Sequence, residues 1–71
     1  MDQNISDVAV GARIEITGRV RNIPDHVFLR PGTKFYVISH NGNGYTNLGS
    51  TKGGKIEKSV SKNTKAFKII S

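Results

Sequence analysis

The stretch "ARIEIT", residues 12–17, decides the fold class. Ala12, Ile14 and Ile16 alternate with Arg13, Glu15 and Thr17, the period of a strand with one face buried and the other in water. Its β-branched residues suit a pleated, half-buried surface. Gly11 and Gly18 bracket the run as bend or bulge points.

Further along, "KFYVIS" places Phe35 and Val37 on one face and Tyr36 and Ile38 on the other, so both faces are at least partly apolar. The two Asn-Gly pairs of residues 41–44 supply a strong hairpin signal, because these residue types tolerate positive φ. "YTNL" completes the hairpin, and "KIEKSV" and "KAFKII" read as short closing strands around a "SKNT" turn. Residues 19–34 show no sustained period. Pro24-Asp25 and Pro31-Gly32 punctuate them, so they read as a long loop in which Ile23, Val27, Phe28 or Leu29 tucks back onto the core. No window makes a good helix. The main competitor is a short helix near residues 56–67, which Asn63, Thr64 and the serines disfavour.

A chain of 71 residues with 35% hydrophobic content, no Trp and no Cys holds one small core and no disulfide or thiolate metal site. The expected organisation is an N-terminal tail over residues 1–7 and a single domain over residues 8–71. Five or so short strands with glycine-rich turns call for a closed or nearly closed antiparallel barrel, since closure disposes of edges. "VGARIEITGRV" followed by "GTKFYVIS" resembles the opening of bacterial and phage SH3-like modules. The resemblance implies an all-β, five-stranded SH3-like barrel. Some such modules accompany cell-wall hydrolases and others bind nucleic acid. The tryptophans and aromatic-rich groove of many of them are missing here, so a proline-rich or cell-wall ligand does not carry over.

"GSTKGGK", residues 49–55, has the glycine and lysine spacing of a nucleotide-binding phosphate loop. Ile56 stands where that loop needs a hydroxyl for Mg²⁺, and no helix follows. What survives is a glycine-rich turn whose Ser50 to Gly54 N–H groups, with Lys52 and Lys55 beside them, can hold one phosphate. His26 and His40 lack a third ligand for a metal, and neither a Ser39–His40–Asp25 triad nor an Asp25–Glu57 pair makes a credible active centre on so small a scaffold. No cofactor, no metal and no enzymatic activity are expected.

The net charge of +6 is segregated. Residues 1–18 sum to −2, residues 19–34 to +3 and residues 51–71 to +5. Such a distribution steers polyanions or acidic protein surfaces. The leading expectation is therefore non-catalytic binding of a DNA or RNA backbone by Arg19, Arg21, Arg30, Lys52, Lys55, Lys58, Lys62, Lys65 and Lys68. Tyr36, Tyr45 and His40 near the Asn-Gly hairpin are candidate stacking rings. The competing class is a protein-interaction module, an accessory or inhibitory factor docking on an acidic partner, as a monomer or, through an exposed edge strand, as a homodimer. "MDQNISDVAV" has the wrong order of polar and apolar residues for a secretory signal, and no stretch reaches membrane-spanning length, so a cytoplasmic location without membrane contact is expected.

Overall fold

In the computed structural model, which describes residues 3–71, Ile14 and Ile16 are fully buried on β1 (Arg13–Ile16). They anchor one core with Ile5, Val8, Val20, Leu29, Phe35, Val37, Leu48 and Val60. Arg13 and Glu15 take the alternate positions outside the deepest core. A three-residue 3₁₀ turn, Ile5–Asp7, precedes β1. It is docked through Ile5, whose N–H donates to the Thr64 carbonyl at 2.8 Å.

Six further strands follow: β2 (Val20–Asn22), β3 (Val27–Leu29), β4 (Lys34–Asn41), β5 (Tyr45–Gly49), β6 (Lys58–Ser61) and β7 (Phe67–Ile69). They make a five-stranded antiparallel sheet in the order β6-β5-β4-β1-β7 and a separate ribbon, β2-β3. Register shifts between Val37 and Ser39 on β4, a bulge that lets Val37 and Leu48 both face the core while Ser39 meets Asn47. At the β4–β5 turn, Gly44 adopts φ 98° and donates to the Asn41 carbonyl, and the Asn41 side chain accepts from the Asn43 N–H at 2.8 Å. Residues 56–67 contain no helix: Val60 is buried on β6, and a turn leads from β6 to β7.

The expected closed SH3-like barrel is not what forms. The sheet is open, with β6 and β7 as unjoined edges, and there are seven strands in two sheets where five in one barrel were expected. The reason lies in residues 19–30, read as loop but folded as a hairpin. Asp25 holds its turn, accepting from the Val27 N–H and the Asn22 side-chain amide, both at 3.0 Å. His26 takes φ 60° there, donating its N–H to the Asn22 carbonyl. This ribbon occupies the free edge of β6: the Ile23 N–H donates to the Ser59 carbonyl at 2.8 Å, and the Ser59 N–H donates to Asn22 Oδ1 at 2.9 Å. An edge satisfied by a neighbouring ribbon does not need closure.

Asn22 is 5% exposed, so its replacement leaves a buried donor without a partner. Asn22→Ala is expected to cost about 1–3 kcal/mol in chemical denaturation, the range for orphaning such a group. Amide exchange should accelerate at Ile23 and Ser59 before it does on β1. Unchanged protection at both amides would contradict the role assigned to Asn22.

Candidate functional site

Pinning the ribbon against β6 also creates a concavity. A groove of about 240 Å³, open to solvent, lies between the β2 segment and the turn from β6 to β7. Arg19, Arg21 and Lys65 contribute to its lining, with the hydroxyls of Ser61 and Thr64 and an apolar floor that includes Val20. Among the described residues no carboxylate lines it. The Lys65 amine donates to the Asn4 side-chain oxygen at 2.5 Å, a neutral acceptor.

The outer face of the ribbon continues this surface. Arg21 stands opposite Phe28 in register, so the two side chains share a face. Arg19 places its guanidinium carbon 5.0 Å from the Phe28 ring centroid, a cation–π distance. One step beyond the last paired residues, Val20 and Leu29, Arg19 and Arg30 leave the ribbon side by side. Of the four side chains expected to offer one that tucks back onto the core, Leu29 does so, while Phe28 and Val27 are 51% and 57% exposed.

The other candidate residues lie elsewhere. Lys68 and Lys34 face Glu15 from β7 and β4 respectively, a cross-strand arrangement that partly compensates both charges. Lys58 is half-buried on β6, and Lys62 sits in the turn beyond it. Lys52 reaches the Gly11 backbone ahead of β1 and Lys55 lies in the same β5–β6 loop, whereas Arg19 follows the far end of β1. Tyr36 is half-buried beneath the Arg13 guanidinium, 5.6 Å from the ring centroid. Tyr45 is exposed opposite Ser61, one strand away from the groove. His40 uses both ring nitrogens: Nε2–H donates to the Val8 carbonyl at 2.6 Å and Nδ1 is hydrogen-bonded to the Thr46 hydroxyl at 3.0 Å.

"GSTKGGK" joins two antiparallel neighbours, β5 and β6, with no helix behind it. Gly49 is required for packing, since a Cβ there would lie 2.5 Å from the Lys55 carbonyl. Two of the loop's N–H groups already have internal partners: Ser50 donates to Glu57 through both its N–H and its hydroxyl, and Gly54 donates to the Thr51 carbonyl. The Glu57 carboxylate thus takes an anion's place at the mouth of the loop. Among the described residues no group of three or more His, Asp or Glu is placed to hold a metal, and no helix is long and apolar enough to cross a membrane.

No family model matches the chain, and no curated protein or solved structure matches it either.

The Ser50 hydroxyl, then its N–H, and at longer range Lys55 and Lys58 hold the Glu57 carboxyl below the usual glutamate range, against a smaller opposing effect of burial. A depressed pKa means that the stabilisation is present above the unfolded value and disappears as pH falls through the folded one. In an NMR titration the Ser50 amide proton should therefore move with a midpoint below that of an ordinary glutamate, and Glu57→Gln should abolish the transition. A midpoint at the ordinary glutamate value would remove the proposed loop clasp.

Proposed function

We propose that this chain is a non-catalytic nucleic-acid-binding protein that grips the phosphate backbone in the groove between β2 and the β6–β7 turn. The observation that carries this reading is convergence. Arg19 and Arg21 come from one segment, Lys65 arrives from more than forty positions later in the chain, and all three line one concavity in which no acid stands among the described residues. A concave surface lined by one sign of charge focuses its field on an approaching polyanion. Ser61 and Thr64 add hydroxyl donors of the kind that commonly bond phosphate oxygens. Arg30 extends the cationic surface along the ribbon. These contacts position a backbone and read no base edges, so the binding is tolerant of sequence.

A second reading, docking on an acidic protein, is favoured by one observation: Phe28 leaves a half-exposed apolar ring beside Arg19 and Arg21. A protein interface centred on that ring would survive high salt and be abolished by Phe28→Asp even at low salt.

The deciding experiment is a titration of the purified protein against labelled single- and double-stranded DNA and RNA across a salt series. Three phosphate contacts predict a slope of log K against log salt of about −2 on single strands and about −3 on duplex. Arg21→Ala should weaken all sequences alike and reduce the slope by about 1, while Lys52→Ala should leave it nearly unchanged. Absence of binding to any nucleic acid at low salt would overturn the reading.

A further inference from the structure

We infer that the nucleic acid taken by this groove is single-stranded, and that Phe28 is the platform on which one of its bases stacks. The inference rests on the phosphate-groove reading and names its ligand class. Phe28 is half exposed on the outer face of the ribbon and is the cross-strand partner of Arg21, which lines the groove. Directly opposite residues of an antiparallel pair have Cβ atoms about 5 Å apart. That is the scale of the step from a nucleotide's phosphate to its own base. A phosphate held by Arg21 and Lys65 therefore leaves its base beside the Phe28 ring.

The Arg19 guanidinium already lies against that ring. Both members of the pair offer planar surfaces, and bases stack on aromatic rings and on guanidinium planes alike. Exposing a large aromatic ring next to a cationic groove has little value for a duplex, whose base faces are hidden within its own stack and whose edges alone are presented. The same combination is what binds unpaired strands without sequence preference: a cationic track for the backbone beside a ring for the bases. The concavity itself, about 240 Å³ and walled by a hairpin on one side and a turn on the other, suits a single sugar-phosphate track.

The test compares labelled twelve-nucleotide oligo-dT and oligo-U, a duplex of mixed sequence, and an abasic deoxyribose-phosphate strand of the same length, by fluorescence anisotropy at fixed low salt. Single strands should bind at least ten-fold more tightly than the duplex and the abasic strand. Phe28→Ala should weaken them by roughly 5- to 150-fold, the loss of one stacked base, with the salt slope unchanged because no charge is removed. The chain contains no tryptophan, so Phe28→Trp installs a lone reporter whose emission should be quenched by oligo-dT or oligo-U and not by the abasic strand. The DNA and RNA arms separate the two sources of the same chemistry. Equal affinity for duplex and single strand, a silent Phe28→Ala, or an unquenched Phe28→Trp would overturn the stacking inference while leaving the phosphate groove standing. No binding of any strand would overturn both and leave the protein-docking reading.

Discussion

Ser59 on β6 has both of its backbone groups bonded by the ribbon segment, its N–H donating to Asn22 Oδ1 and its carbonyl accepting from the Ile23 N–H. The rest of the architecture depends on this contact. It covers an edge that would otherwise present unpaired backbone groups, and it decides that the sheet stays open. It also fixes where the ribbon lies. The Ser59 hydroxyl donates to Asn47, whose amide in turn donates to Ser39, so the ribbon is tied through a row of polar side chains into the middle of the five-stranded sheet. Such a network specifies one arrangement because each buried polar group in it has a partner.

The proposed function follows from that placement. With the ribbon held on β6, the cations leading into β2 face the turn that carries Thr64 and Lys65. The Thr64 carbonyl is at the same time the acceptor for Ile5, so the 3₁₀ turn Ile5–Asp7 supports the opposite wall of the groove. The cations are thus presented by elements that packing has already fixed, which lowers the ordering cost of binding. The glycine-lysine loop is organised differently. Its own carboxylate, Glu57, occupies two of its donors, and its lysines point from another part of the molecule.

Local signals carried the sheet. The alternation in residues 12–17 and the paired Asn-Gly turn depend only on neighbours in sequence, and both features appear in the structure where those patterns place them. The β2–β3 ribbon was hidden for equally physical reasons. Each of its strands has three residues, too few to display a period. Its turn uses His26 in a left-handed conformation where a glycine would have signalled a hairpin, and its stability comes from a side chain bonded to a strand thirty-seven residues away. The closed-barrel expectation failed there, since an edge covered by an unrecognised ribbon cannot be foreseen from strand count. Arg19, Arg21 and Lys65 were legible as cations and not as neighbours. Among Ile23, Val27, Phe28 and Leu29 the sequence left open which one packs on the core, because hydrophobicity alone does not say which side of a short ribbon faces water; Leu29 is the one that does. Glu57 was missed as the loop's internal anion, although its seven-residue separation from Ser50 on the far side of a tight turn was a signal within reach.

That one groove, built by the ribbon on β6, receives the phosphate backbone is the proposal on which the rest stands. Its most direct test is a map of backbone amide shifts as a short single-stranded oligonucleotide is added at low salt. Changes concentrated at residues 19–23, 28 and 61–66 are the predicted result. Changes centred on residues 50–57, or spread evenly over the lysines of all faces, would contradict it.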